Sequence, residues 1–207
     1  FQKENMIVME LQDSTFRSKG QSFKKELMNH PDIISATTST GVPGQNGWIQ
    51  VVRVEKESEM IDDAMIICVP DYDYLNTYEI EMAKGRFFEK EMGTDLQEAV
   101  VVNETAVKQY GWDDPIGKKI HWGFSTNGEG GRVLKVIGVF EDYHFKSLHN
   151  KVQPMMMFLH EDIQKGILTV KTNGENNQKV LSDIESRWHE FGAKRPFDYQ
   201  FLYQSLS

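Results

Sequence analysis

The sequence predicts an α+β fold, and three observations carry that prediction. A strand–helix–strand pattern occurs once near each end of the chain. The middle is built almost wholly of short apolar runs separated by Gly, Pro and Asn. The regular strand–helix alternation of a doubly wound parallel sheet is absent.

The elements follow in order. Residues 6–11 (MIVMEL) are short and apolar, which predicts a buried strand. Asp13, Ser14 and Thr15 offer N-cap oxygens to a helix whose apolar side carries Phe16, Phe23 and Leu27, and Pro31 ends it. Residues 33–40 (IISATTST) are β-branched and return as a strand. The GVPGQNG run at 41–47 is a loop. Residues 48–54 alternate apolar and polar, a strand with one wet face; 55–63 reads as a charged connection and 64–69 as a second buried strand. Residues 70–77 predict a short helix or turn, 78–82 are weakly strand-like, and Lys84-Gly85-Arg86 is a turn.

The stretch from 99 to 154 has the densest punctuation. Residues 99–102 predict a strand, Asn103 an N-cap, 104–110 a short helix, and Gly111 a left-handed residue just past its end. Asp114-Pro115 opens a turn that includes Gly117. A strand at 120–122 and a flexible connection at 124–131 lead into 133–140, the strongest strand of the chain. Gly138 within it marks a bulge or a close backbone approach. Residues 155–159 are another apolar strand. The tail repeats the opening: a strand at 167–171, a helix at 175–191 with Val180, Leu181, Ile184, Trp188 and Phe191 on one face, and a strand at 197–202. The terminal units, residues 1–82 and 165–207, are expected to join in one sheet-and-helix part that brings both chain ends to the same side. Residues 83–164 then form an inserted, mostly β part.

Composition bounds the function. In 207 residues, 39% hydrophobic and 11% aromatic content suffice for a core, and the net charge of −8 gives no basic stripe for nucleic acid. The acidic runs read as solvated faces. Cys68, the sole cysteine, lies in the apolar run AMIICV and reads as a small buried hydrophobe rather than a nucleophile. No run approaches the ~20 apolar residues of a membrane span. A first residue of Phe1 rather than Met reads as an excised fragment or processed product.

Candidate chemistry is thin. His144 and His149, with Glu141, Asp142, His160 and Glu161, could gather around zinc, but five-residue spacing puts no His pair on one helix face. Asp71/Asp73 and Asp113/Asp114 are carboxylate pairs that, this close in sequence, should point apart or flank turns. No phosphate-binding loop, dinucleotide fingerprint or nucleophile elbow is present. The run Met155-Met156-Met157 reads as core filling rather than a peptide-binding surface. No catalytic, metal or cofactor residue is assigned.

The order and content of these segments resemble the periplasmic core domain of MacB-type and FtsX-type ABC transporter permeases. NETAVKQYGWDDPIGK at 103–118 resembles the family's N-E-x-A…G-W-x-x-P-I-G-K run. The text from Val136 to Pro154 resembles its V-I-G-V-x-x-D-Y-H-F-x-S-L-H…P run, and Lys84-Gly85-Arg86-Phe87 and residues 196–202 agree as well. The family-motif residues are Gly85, Arg86, Asn103, Glu104, Gly111, Pro115, Gly117, Gly138, Asp142, His144, Leu148 and Pro154, all read as structural. Asp142 and Ser147 would cap the segment that follows the main strand.

The resemblance implies a periplasmic domain of an inner-membrane permease, carried between two transmembrane helices. Its parts would be a porter-like lobe (the terminal units) and a sabre-like lobe (the insert). It implies no catalysis and no cofactor. The implied partners are a second permease copy, a separate cytoplasmic ATPase, and a periplasmic adaptor or outer-membrane protein. The expected function is mechanotransmission, coupling ATP hydrolysis to export or extraction. The alternatives are a sensing or scaffold domain that regulates a partner such as a cell-wall hydrolase or reports antimicrobial peptides, or a hydrolase built on the His/Asp cluster.

Overall fold

A computed structural model describes residues 3–45, 47–143 and 151–205. The chain opens with a 3-10 turn (Lys3–Asn5), β1 (Met6–Glu10), α1 (Phe16–Leu27) and β2 (Ile33–Ser39). It closes with β10 (Ile167–Thr172), α5 (Asn177–Glu190), β11 (Gln200–Phe201) and α6 (Leu202–Ser205). These terminal segments make one four-stranded antiparallel sheet in the order β11-β1-β10-β2. The two ends of the described chain are neighbours: Ile7 pairs with Phe201, and α6 packs on the opening turn.

Between them run β3 (Trp48–Lys56), β4 (Glu59–Cys68), α2 (Tyr74–Tyr78), β5 (Met82–Gly85), α3 (Asp95–Glu98), β6 (Ala99–Asn103), α4 (Glu104–Tyr110), β7 (Lys119–Trp122), β8 (Arg132–Phe140) and β9 (Met155–Met157). Their sheet, β5-β8-β6-β9-β4-β3-β7, has an added β8–β7 pairing. Lys135 of β8 pairs with Ala99 of β6 and with Lys119 of β7, so those strands flank β8 on opposite sides. The ring β8-β6-β9-β4-β3-β7 therefore closes into a six-stranded barrel, with β5 hanging on β8 outside it.

Three apolar clusters fill this arrangement. The barrel interior holds Val52, Val54, Met65, Ile67, Val100, Val102, Leu134, Val136, Met156 and Phe158, closed by Ala106 and Tyr110 of α4 and by Trp112. The layer between barrel and sheet holds Tyr74, Leu75 and Tyr78 of α2, with Val101, Phe140 and Met157 from the barrel wall and Met6 and Leu202 from the sheet side. The outer face of the four-stranded sheet packs Ile7, Met9, Leu168 and Val170 under Phe16, Phe23, Ile184 and Trp188 of the helices. Alternation accounts for this: successive side chains of a strand face opposite sides, so Ile7 and Met9 point one way and Met6 the other.

The structure departs from the sequence reading in several places. Residues 48–68 belong to the barrel, although the expected boundary placed everything up to 82 with the terminal part. The charged connection at 55–63 is the tip of the β3–β4 hairpin, turned at Glu57 with φ of 55°. The weak strand expected at 78–82 begins with the end of α2, and the strand itself is β5, where a turn was expected. Only Gln200–Phe201 of the expected closing strand pairs before α6 starts.

Two contacts fasten the terminal segments. Asp13, buried, accepts hydrogen bonds from the N–H groups of Thr15 (2.9 Å), Lys194 (2.6 Å) and Arg195 (2.7 Å), tying the start of α1 to the chain after α5. Lys24 of α1 reaches Asp71 (2.6 Å) and Asp73 (2.5 Å) on the segment leaving β4. Asp71 also accepts from Thr37 Oγ1 (2.5 Å) and Thr38 N (2.8 Å) of β2. Asp71 and Asp73 thus converge on one ammonium, contrary to the expectation that they point apart. Removing one partner of the buried Lys24–Asp71 pair would strand a charge, at about 3–5 kcal/mol.

β8 carries a bulge. Val100 pairs with Val136 but Val101 with Gly138, so Ile137 is the extra residue. It shifts the alternation by one, and both Val136 and Val139 face the barrel interior. Gly138 opposes Gly85 of β5, whose φ is 67°. A Cβ on Gly138 would lie 2.2 Å from Arg86 O, and one on Gly85 2.2 Å from Ile137 O. Gly111, with φ of 65°, has open space where its Cβ would stand.

Gly138→Ala is therefore expected to cost about 3 kcal/mol through overpacking, and Gly85→Ala at least as much. Gly111→Ala should cost only about 1 kcal/mol, for its left-handed backbone alone. Denaturant midpoints of the three variants check this ranking. For Asp13, the Thr15 N–H bond is the main cause that holds its carboxyl down at about 2, against burial. The folded state then binds fewer protons than the unfolded one, whose carboxyl titrates near ~3.9. The contribution of Asp13 is full above about pH 4 and is lost as pH falls toward about 2. Asp13→Asn should lower Tm at neutral pH, with the gap to the parent narrowing over that window; a gap independent of pH would contradict the assignment.

Candidate functional site

The family-motif residues cluster around the end of β6 and the first turn of α4. Asn103 Oδ1 accepts from Ala106 N (3.1 Å), the expected cap, and also from Met155 N (2.9 Å), while Nδ2 donates to Gln153 O (2.9 Å). One side chain thus starts α4 and seats β9. Glu104 Oε2 accepts from Asp142 N (3.1 Å), and Asp142 accepts from Thr105 N (3.1 Å) and Thr105 Oγ1 (2.8 Å). Asp142 therefore caps α4; the segment that follows β8, which it was expected to cap, lies mostly outside the described residues. His144, Ser147, Leu148 and His149 lie outside the described residues.

At the other end of α4, Gly111 takes the left-handed conformation expected of it. Pro115 O accepts from Lys118 N (3.2 Å), and Gly117, with φ of 89°, donates its N–H to Val136 O (2.8 Å). The turn is thereby stitched to β8 beside the bulge. Carboxylates of the β3–β4 hairpin hold the same segment. Asp63 accepts from Gln109 Nε2 (2.7 Å) and Tyr110 OH (3.0 Å), and Glu55 from Lys118 Nζ (3.2 Å) and Lys119 N (3.0 Å). Burial, then Asp63, raises the Tyr110 hydroxyl. Trp112 Nε1 donates to Glu55 O (2.6 Å), closing the barrel. Sequence reasoning missed Glu55 and Asp63, because acidic residues at a hairpin tip look like any solvated charge run.

Arg86 makes a two-pronged pair with Asp95 (2.7 and 2.8 Å), whose carboxylate is buried and also accepts from Glu89 N (3.0 Å). Pro154 O accepts from Ile66 N (3.0 Å). Asp114 lies on a turn, 3.8 Å from Lys84. Cys68 is buried and its thiol is pushed up to about 12 by desolvation, so it carries no thiolate at neutral pH. Met156 and Met157 are fully buried core residues. Among the described residues no three His, Cys, Asp or Glu side chains converge as metal ligands. The arrangement is a set of braces that holds a helix, a turn and three strands together.

Asn103→Ala would orphan the N–H groups of Ala106 and Met155 and the carbonyl of Gln153. It is expected to destabilise by about 3 kcal/mol. Asn103→Asp keeps both acceptor contacts and should cost less; urea unfolding of the pair checks the order.

The model of the family described as MacB-like periplasmic core domain matches residues 4–187. No curated protein sequence matches the chain. The chain shares its fold with the periplasmic region of MacB from Actinobacillus actinomycetemcomitans (TM-score 0.62, 16% identity, 97% of this chain and 89% of that one). It also shares it with the extracellular domain of the noncanonic ABC-type transporter YknZ from Gram-positive bacteria (TM-score 0.62, 13% identity, 95% of this chain and 100% of that one). With the family model covering most of its length, the chain belongs to the MacB-like periplasmic core domains, the extracytoplasmic part of MacB/FtsX-type ABC transporter permeases.

Proposed function

We propose that this domain transmits motion: it is held between two membrane helices of a permease and moves when a cytoplasmic ATPase binds and hydrolyses ATP, driving export or extraction. One observation carries the reading. β1 and β11 are adjacent antiparallel strands, so both ends of the described chain lie at one pole, as suspension from paired helices requires. The braces support it too. Each family-motif residue described above is engaged in backbone geometry, packing or a structural hydrogen bond. In this reading the four-stranded sheet with its helices is the porter-like part and the barrel the sabre-like part. The domain is periplasmic and non-catalytic, and the permease works as a dimer, with an adaptor or outer-membrane protein as a further partner.

A second reading is favoured by the barrel's outer wall, where Ile49 and Val51 are more than half exposed. There the domain would sense or scaffold, with that wall meeting a regulated partner protein.

The test uses the full-length permease with its ATPase in vesicles, with a nitroxide on Val133→Cys, an exposed barrel-wall position. Motion transmission predicts that the distance between the two copies' labels shifts between nucleotide-free and ATP-bound states. An unchanged distribution with normal ATP hydrolysis overturns it.

A further inference from the structure

The two ends of the barrel differ. At one, α4 and Trp112 close the interior. The other lies at the starts of β3 and β8 and the ends of β7 and β9. Alternation picks out the side chains that face the axis there. Trp48 and Gln50 continue the inward set of Val52 and Val54, Trp122 that of Ile120, Arg132 that of Leu134 and Val136, and Phe158 that of Met156. The deeper strand positions are Val, Ile, Leu and Met, whereas this outermost layer is aromatic and polar. Trp122 is its hub, with ring centroids 6.2 Å from Trp48, 4.5 Å from Phe158 and 5.7 Å from His160, and its Nε1 donates to Gln50 Oε1 (2.8 Å). Trp48 belongs to the inward set and is still 42% exposed, so the mouth is open beside it.

The charge at this mouth is unmatched. Lys24, Arg53, Arg86, Lys118 and Lys171 are cations that the fold partly or wholly covers, and each meets an Asp or Glu. Arg132 is half-buried and meets none among the described residues. Its guanidinium lies over the rings of Trp122 (5.6 Å) and Phe158 (5.4 Å) and donates to Leu96 O (2.8 Å) and Leu159 O (3.2 Å), while Nε is buried without a partner. Burial depresses its pKa, with no carboxylate opposing the shift. Lys165, also half-buried, bonds the next carbonyl, His160 O (3.1 Å). His160 Nδ1 accepts from Asp162 N (3.2 Å), so its proton sits on Nε2. Burial first, then Arg132, lowers the pKa of His160, which keeps its ring neutral.

We propose that the barrel mouth binds a monocarboxylate carried on an apolar body, with Arg132 on the carboxylate and Trp48 and Trp122 against the body. A guanidinium fork suits a carboxylate. A few polar groups among aromatic rings at the mouth of a barrel make the usual setting for a small ligand. One unmatched guanidinium beside a neutral imidazole fits a single negative charge. Glu161 and Asp162, exposed on the same segment as His160, oppose a dianion such as phosphate. That segment leads from β9 of the barrel to β10 of the four-stranded sheet, so an occupied mouth bears on the junction of the two. The inference is independent of whether the domain transmits motion.

The test uses the full-length permease with its ATPase in phosphatidylcholine nanodiscs. The probes are a fluorinated phenylpropanoate, the matching amide, and an acetylated tripeptide ending in fluorinated phenylalanine with a free carboxylate. Fluorine NMR line broadening reads binding. The acid should bind about tenfold tighter than the amide. Arg132→Gln should bring the acid down to the level of the amide. Trp48→Ala, which removes no hydrogen bond of Arg132, should weaken acid and amide together. Should Arg132→Gln abolish ATP hydrolysis and so report misfolding, the acid-against-amide comparison on the parent and the Trp48→Ala variant decide. Peptide binding as tight as that of the small acid assigns chain ends as the source of the carboxylate; binding of the small acid alone assigns free acids. Equal binding of acid and amide to the parent overturns the proposal. So does no binding of either acid, an acid preference that survives Arg132→Gln, or acid binding unchanged by Trp48→Ala.

Discussion

The whole architecture hangs on one wall that is buried on both sides. Every residue of β6 is buried: Val100 and Val102 face the barrel interior, and Ala99 and Val101 face the layer shared with the four-stranded sheet. Such a strand tolerates no slip in register, because a one-residue shift would exchange the two faces. The neighbours of β6 supply the fixing. On one side β8 inserts Ile137, so that its alternation suits the barrel at both ends; on the other Asn103 bonds the first residue of β9. The glycine pair at 85 and 138 lets β5 and β8 approach at the bulge, where no side chain fits.

Much of this was legible in the sequence, for physical reasons that can be named. Asn103, the helix behind it and Gly111 were readable because capping is local chemistry, complete within a few residues. Gly138 was readable as a bulge or close approach because a glycine inside a strong strand has few other uses. The closure of the barrel was not readable. It depends on β8 changing partners from β7 to β5 along one edge, and partner choice leaves no periodic trace. Nor did the β3–β4 hairpin show, because Glu57 turns it without the Asn-Gly or Gly-Gly signature of tight hairpins. The contact of Asp142 with Thr105 was not readable either, because the two are distant in sequence and adjacent only in the fold.

The acidity of the chain also acquires a different meaning. A net charge of −8 suggested a solvated face. In the structure Asp13, Asp63, Asp71, Asp95, Asp142 and Glu55 each accept at least one backbone N–H, and most accept two or more hydrogen bonds. A carboxylate offers several lone pairs and a full charge, so one residue can satisfy donors from different segments. This domain uses its acids as junctions, with Lys24 and Arg86 as the cationic partners where burial would otherwise leave a charge unmatched.

The strand order of the terminal sheet has a consequence for how the chain acquires its structure. β1 and β2 never pair with each other; both pair with β10, and β11 pairs with β1. No ladder of that sheet can form before residue 167 is available. During synthesis the opening strands wait while the barrel, whose strands all lie between residues 48 and 157, already has its full set of partners. The barrel can therefore close before the four-stranded sheet does. The loop that must close to seat β1 spans most of the polypeptide, the kind of long-range pairing that slows folding.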